Sequence, residues 1–382
     1  MEKRLKIAIV GPAHPYRGGL ASIMETMARE YQSRGYDVRI LTFTLQYPEF
    51  LFPGKSQTID TPPPSDLNIT RRVSTVNPLS WISVGRELRK EQPDIVLMKY
   101  WTPFMAPCFG TIARIARGNG ITKTICQIDN VEPHEHHITD RIFNRYFLGS
   151  MDGFIYMSEQ VHSELKEYTS APALFSPHPL FDTYGPKEDR TEACTKLGVA
   201  ATQSYVMFFG YVRDYKGLDV LLDAWALLKA EGRTEGRKLL VVGEVYGDDS
   251  KYWAQIDRLG LRDDVVMHTD FVPDDKVALW FSVADMVALP YKSATQSGVT
   301  QVAYAFGVPM VVTRVGGLRE IVPDDVVGVL ADVDPRSVAD AIAKVYEGDN
   351  LQRYRKGVES ERGRFSWEAT ADRIEELYQR LV

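Results

Sequence analysis

The feature that most limits what this chain can become is a rhythm. Short apolar stretches of strand length alternate with helical stretches, and the alternation runs along the chain twice. In the first run, strands are expected at Leu5–Val10, Asp37–Phe43, Ile95–Met98, Thr122–Gln127 and Gly153–Met157, with a helix from Leu20 to Ser33. Along that helix Ile23, Met24, Met27, Ala28 and Tyr31 form the stripe that packs on a sheet. In the second run, strands are expected at Tyr205–Phe209, Lys238–Val242, Val265–Phe271, Met286–Pro290, Met310–Thr313 and Gly328–Ala331. Helices are expected between them at Leu218–Lys229, Asp274–Val283, Gly298–Phe306 and Pro335–Glu347. Strand, helix, strand in repeated succession predicts a parallel sheet with helices on both faces, so the fold class is α/β, doubly wound in each half.

At 382 residues the chain exceeds one ordinary core, which predicts two domains. A stretch rich in Pro, Gly and charge from Ser176 to Lys187 is the expected linker, placing the domains at 1–183 and 184–365, with a terminal helix over 366–382. Hydrophobic residues at 44% and charged residues at 25% are ordinary for a globular protein and exclude disordered, collagen-like and coiled-coil classes. A net charge of −6 argues against nucleic acid as the main partner. Cys108, Cys126 and Cys194 are odd in number and lack a CxxC spacing, which fits a reducing compartment and offers no metal site. The N-terminus MEKRLKIAIVGPAHP does not read as a signal peptide and no window approaches a membrane span, so a cytoplasmic location is expected, with peripheral attachment to the inner face of a membrane left open.

Three strand-to-helix junctions carry the candidate chemistry. In the stretch Tyr291 to Glu320, Ser297 and Gly298 open a helix at the end of a strand, where unpaired backbone N–H groups and a partial positive charge suit a phosphate. Gly18 and Gly19 end the turn Gly11-Pro12-Ala13-His14-Pro15-Tyr16-Arg17 and let a backbone approach an anion closely; the spacing is not GxGxxG, which disfavours a bound dinucleotide. Gly210 opens the third turn, in which Arg213 and Lys216 could clamp a diphosphate. An ordinary βαβ turn is the competing reading at each. The loop IDNVEPHEHH crowds Asp129, Asn130, Glu132, His134, Glu135, His136 and His137 together, but matches no common zinc spacing. The aromatic segments Tyr47–Pro53 and Tyr100–Phe109 either rim a lipid-linked acceptor, dip into a membrane, or pack as core.

The order GYVRDYKGLDVLLDAW, VVGEVYG, DFVPDDKVALWFSVADMVALPY, ATQSGVTQVAYAFGVPMVV, VGGLREIV and FSWEATADRIEELYQRL resembles the family 4 group of GT-B glycosyltransferases over nearly the whole chain. The resemblance implies two Rossmann-like domains facing a central cleft, the donor held by the C-terminal domain, the acceptor by the N-terminal one, and a last helix crossing back. It implies that Arg213 and Lys216 contact the donor diphosphate and are catalytic by charge, with Gly18, Gly19, Gly210 and the amides of Ser297, Gly298 and Val299 around it. It also implies that Val272, Gly243 and Glu244 line the base pocket, and that Asp129 and His134 touch the sugar or the acceptor. No cofactor or metal is implied; a nucleotide-diphosphate sugar is the substrate and a glycan or lipid-linked saccharide the acceptor.

The chain also departs from that pattern. The family's pair of glutamates falls on Ala294 and Val302, neither of which can accept a hydroxyl proton. The arginine after the phosphate-turn glycine is Tyr211, and the histidine after the strand Thr122–Gln127 is Asp129. Gln296, Ser297 and Thr300 are then the polar groups nearest the helix start that could hold ribose or sugar hydroxyls. The expected activity is sugar transfer, with retention, in cell-surface polysaccharide or glycoconjugate synthesis. The alternatives are a non-catalytic sugar-nucleotide or glycan-binding protein and a non-hydrolysing sugar-nucleotide epimerase.

Overall fold

The computed structural model describes residues 4–48, 57–131, 138–180, 184–245, 248–294 and 297–382. The chain divides into two compact units, one formed by Met1–Pro177 with Trp367–Val382, the other by His178–Ser366.

The N-terminal unit begins with β1 (Lys6–Val10), α1 (Gly19–Ser33), β2 (Asp37–Leu45), β3 (Ile69–Ser74) and α2 (Pro78–Glu91). It continues with β4 (Ile95–Tyr100), α3 (Ala106–Arg117), β5 (Lys123–Ile128), α4 (Ile138–Leu148), β6 (Gly153–Tyr156), α5 (Glu159–Lys166) and β7 (Ala173–Phe175). The strands form one sheet in the order β3-β2-β1-β4-β5-β6-β7, every pair parallel. Central strands such as β4 are buried along their length because helices cover both faces.

The second unit runs α6 (Arg190–Leu197), β8 (Ser204–Phe209), α7 (Leu218–Ala230), β9 (Arg237–Val242), α8 (Ser250–Arg258), β10 (Val265–His268) and α9 (Asp274–Val283). It closes with β11 (Met286–Leu289), α10 (Gly298–Phe306), β12 (Met310–Thr313), α11 (Leu318–Ile321), β13 (Gly328–Ala331), α12 (Pro335–Val345) and α13 (Asn350–Glu361). Its sheet is again fully parallel, in the order β10-β9-β8-β11-β12-β13. Two apolar clusters, one on each face, sandwich it: one holds Met207, Leu240 and Phe281, the other Phe208, Val241 and Trp225.

The last helix, α14 (Trp367–Leu381), belongs to the N-terminal unit, where it packs on β5, β6 and β7 and against α1. Leu377 comes so close to Gly153 that a Cβ there would sit 3.0 Å from its methyl carbon. Polar contacts fix the register: Arg34 reaches Asp372 at 2.6 Å and Glu375 at 2.8 Å, and the Tyr36 hydroxyl donates to Glu375 at 3.0 Å.

The structure corrects the sequence reading in several places. The strand expected to reach Phe271 ends at His268, because the chain turns away before Pro273 to start α9. The edge strand β3 was not expected from the sequence, because its polar run Thr70-Arg71-Arg72 hid it. Tyr100, Met105, Cys108 and Phe109 are fully buried, so the segment Tyr100–Phe109 is core rather than a membrane-dipping loop. Of Tyr47–Pro53 only the first two residues are described; Tyr47 stacks on Phe104 at 5.5 Å and its hydroxyl accepts from Trp101 Nε1 at 2.7 Å. Among the described residues no helix is long and apolar enough to cross a membrane.

Candidate functional site

In both sheets the strand order reverses at one point, between β1 and β4 in the N-terminal unit and between β8 and β11 in the second. Loops leaving the carboxyl ends of two such strands diverge, and the crevice between them is where open parallel sheets take ligands.

In the second unit this crevice is a pocket of about 330 Å³, and most of the residues singled out in the sequence line it: Gly210, Lys216, Gly243, Glu244, Val272, Ser297, Gly298 and Val299. Two glycines make the pocket's floor possible. At Gly243 (φ 134°) a Cβ would lie 2.4 Å from the Gly210 carbonyl oxygen, and at Gly217 (φ 70°) one would lie 2.0 Å from the Pro290 oxygen. The first holds β8 and β9 together at their ends; the second lets the turn carrying Lys216 fold down on β11.

Lys216 occupies the middle. It ends a short 3₁₀ turn (Asp214–Lys216), and its Nζ lies 3.2 Å from where a Gly210 side chain would begin and 5.6 Å from the centre of the Tyr291 ring. Among the described residues it has no carboxylate partner. Burial, together with the nearby Arg213 charge, pulls its ammonium down to about 8. Opposite it, α10 begins with Ser297, whose hydroxyl bonds to the buried Tyr291 hydroxyl at 3.2 Å instead of capping the helix. The first amides of α10 therefore have no side-chain cap. Burial also pushes the Tyr291 hydroxyl up, so it stays neutral. A cation without a counter-ion beside an uncapped helix N-terminus is an arrangement that favours an anion.

Other expected residues are placed differently. Arg213 is exposed on the turn and is not in the pocket lining. Thr300 is fully buried and donates to the Ser297 carbonyl at 2.6 Å, so its hydroxyl is already used. Gln296 lies outside the described residues. Val302 lines the pocket as an apolar wall, and the lining carboxylates are Glu244 and Asp274. Asp274, Tyr184, Tyr215 and Phe271 also line it and were missed in the sequence; the exposed Phe271 was hidden because it reads as part of a strand.

In the N-terminal unit, Gly18 caps α1 with φ 101° and Gly19 is its first residue; open space surrounds Gly18, so the backbone angle is what calls for glycine. The preceding turn is held by Thr42, whose hydroxyl accepts from Ala13 N at 2.9 Å, and by Glu25, which accepts from His14 N at 2.7 Å. Across the crevice, Asp129 follows β5, and its carboxylate accepts from Lys99 Nζ on β4 at 2.7 Å. Lys99 is completely buried, while Asp129 keeps about a fifth of its side chain exposed (21%). Gln127, paired with Lys99 across the strands, is also fully buried, and among the described residues neither of its side-chain amide atoms has a partner. Lys99 was missed, although a charge within the apolar run IVLMKY is itself a signal. His134, with Glu132, Glu135, His136 and His137, lies outside the described residues. Among the described residues no cluster of three or more His, Cys, Asp or Glu could hold a metal ion.

Comparison with known proteins gives the arrangement its relatives. A family profile described as "Glycosyltransferase Family 4" matches residues 17–174, and one described as "Glycosyl transferases group 1" matches residues 203–348. A curated D-inositol 3-phosphate glycosyltransferase of Segniliparus rotundus is 35% identical over 197 residues, 50% of this chain and 43% of that protein. D-inositol 3-phosphate glycosyltransferase 2 of Catenulispora acidiphila is 32% identical over 244 residues, 60% of this chain and 56% of that one. The chain thus spans about half the length of the curated relatives it matches. Among solved structures, a sucrose-phosphate synthase from Thermosynechococcus elongatus matches with a TM-score of 0.70 at 17% identity, over 98% of this chain and 99% of that one. HepE of Anabaena, in complex with UDP, matches with a TM-score of 0.72 at 17% identity, over 98% and 100%. At such identities the likeness shows the fold: α/β, with two parallel sheets flanked by helices.

Proposed function

Because the chain belongs to the family 4, group 1 glycosyltransferases, whose two profiles together take in more than half of it, we propose that it moves a sugar from a nucleotide-diphosphate donor to a hydroxyl acceptor. The observation that carries this reading is Lys216, half-buried and without a carboxylate partner among the described residues, in the pocket that the uncapped start of α10 also lines. The reaction breaks the bond between the sugar's anomeric carbon and the diphosphate oxygen, which keeps the electron pair. The acceptor oxygen bonds to that carbon and its proton is released. Charge therefore grows on the diphosphate as the bond breaks, and Lys216 with the Gly298 and Val299 amides is arranged to stabilise it in a site that needs little reorganisation. Phe271, Val272 and Glu244, which line the same pocket, offer apolar surface and a carboxylate suited to a base and ribose. The 330 Å³ of the pocket falls in the range of small-molecule sites.

The N-terminal unit is proposed to take the acceptor, with Asp129 as a hydrogen-bond acceptor for a hydroxyl and Gly18 and Gly19 presenting the start of α1. Retention at the anomeric carbon, a role in cell-surface glycoconjugate synthesis and a peripheral attachment to membrane belong to the same proposal and rest on family membership. Curated relatives named for D-inositol 3-phosphate make that compound the first acceptor to try, and the HepE complex makes UDP the first nucleotide.

The test is a panel of UDP-, GDP-, ADP- and dTDP-sugars, with and without acceptors, read as free nucleoside diphosphate and as glycosylated product. Acceptor-dependent release that Lys216→Ala abolishes is the expected result. Tight binding with no release from any donor would replace transfer with sugar-nucleotide binding, and a changed sugar still joined to its nucleotide would replace it with epimerisation.

A further inference from the structure

The second unit contains another cavity, of about 520 Å³, formed where residues 185–187 lie against α10 and α13. From α13 the residues Gln352, Arg355, Lys356 and Glu359 reach it at helical spacing, and Arg362 follows one turn later. Tyr304 and Phe306 supply its apolar side, and Lys187 faces it from the other wall.

Its charges do not balance. Asp285, one-tenth exposed, is shared by two arginines, Arg355 at 3.0 Å and Arg190 at 3.2 Å. Among the described residues Lys187 bonds only to the neutral Phe306 carbonyl, at 3.2 Å. Among the described residues neither Lys356 nor Arg362 has an ion pair, and Glu359 is the single carboxylate lining the cavity. Lys187, Arg190, Arg355, Lys356 and Arg362 therefore stand against Asp285 and Glu359. The cations also act on one another: burial, with Arg355 and Arg190 adding to it, lowers the Lys187 ammonium. Like charges held together in this way lower one another's stability unless an external anion joins them.

We infer that this cavity is a second anion site, distinct from the Lys216 pocket, that takes a phosphate group through Lys187, Lys356 and Arg362. The donors differ in kind as phosphate recognition uses them, since a guanidinium fork can bind two oxygens while the two ammonium groups act as point charges. The cavity has room for more than bare phosphate, so the ligand is a phosphate ester, either a soluble one or the headgroup of an anionic lipid. Residues 185–187 lie just after the chain enters the second unit and Arg362 just before it leaves, so a bound phosphate ties the entering and leaving segments together. The inference does not depend on sugar transfer.

Thermal unfolding of the full chain with inorganic phosphate, against sodium chloride at matched ionic strength, provides the first arm. The midpoint is expected to rise with phosphate in the wild type and in Lys216→Ala, and the response is expected to be lost in Lys356→Glu/Arg362→Glu. Both substituted side chains are exposed, so folding is retained, and removing each charge-assisted hydrogen bond weakens phosphate binding roughly tenfold or more. The second arm is co-sedimentation with phosphatidylcholine vesicles with and without phosphatidylglycerol. Binding to the anionic vesicles alone, abolished by the same double variant, assigns the phosphate to a lipid headgroup. A phosphate response that persists in the double variant and vanishes in Lys216→Ala overturns the site, as does a wild type that responds to neither probe.

Discussion

The two crevices share a topology and differ in how each treats its lysine. At the β8/β11 crevice Lys216 is half-buried, lacks a carboxylate partner among the described residues and shares its pocket with an uncapped helix start. At the β1/β4 crevice Lys99 is fully buried and already joined to Asp129, whose carboxylate remains partly exposed. One crevice thus presents positive charge to a ligand. The other has neutralised its positive charge internally and offers a hydrogen-bond acceptor. In the proposed reaction the first crevice would take the diphosphate and the second a hydroxyl, so one fold would serve two chemistries through the partner each lysine is given.

The largest effect that would break this comparison is loss of the unpaired cation. Lys216→Ala is expected to lower kcat by about 10²- to 10³-fold, the usual cost of removing one stabiliser of developing charge, with circular dichroism unchanged. A variant with near wild-type turnover would mean that the diphosphate is held elsewhere. Removal of the paired carboxylate should cost stability as well as any acceptor contact. Asp129→Ala leaves the Lys99 ammonium buried without a partner, which costs about 2–4 kcal/mol in denaturant unfolding, while Lys99→Met/Asp129→Ala should recover most of it. If the double variant is no more stable than the single one, the pair is not the unit the geometry indicates.

Much of this was legible in the sequence. The strand–helix rhythm located both sheets, and the turn holding Gly210 and Lys216 together with the start of α10 located the pocket. What escaped was fixed by long-range packing. Phe271 and Asp274 line the pocket because β10 stops early, and the partners Lys99 and Asp129 meet only because β4 and β5 are neighbours in the sheet. Thr300 looked like a ligand by position, yet helical phase turns it inward, and its hydroxyl bonds to Ser297. The edge strand β3 has a buried residue on only one face, too few to register as a strand.

A smaller effect follows from the depressed ammonium of Lys216. Its charged form is the useful one, so kcat/KM is expected to stay level below about pH 8 and to fall above it. Stability should move the opposite way. Because the folded chain holds this proton less tightly than the unfolded one, the unfolded state binds more protons between about pH 8 and the ordinary lysine range, and stability rises with pH across that window. Lys216→Met should accordingly be more stable than wild type near pH 7, by about 1–2 kcal/mol after allowance for solvent screening. An inactive variant that gains no stability would indicate that the lysine is not strained by its surroundings.

The smallest expected effect is at Arg213, and it separates the two cations that the sequence put on equal terms. Arg213 is exposed and outside the pocket lining, so its influence reaches the donor through water and is screened. Arg213→Ala should therefore lower kcat/KM only a few-fold, on the scale of an exposed charge, and less so at high salt. It should also leave a second trace. The Arg213 charge helps hold the Lys216 ammonium down, so its removal lets that group keep its proton to higher pH. The alkaline limb of the pH profile should shift upward in Arg213→Ala and stay in place in Arg213→Lys, which keeps the charge. A loss as large as that of Lys216→Ala, with the limb unmoved, would mean that the guanidinium swings onto the diphosphate once the donor is bound, and that this crevice clamps its anion with two cations instead of one.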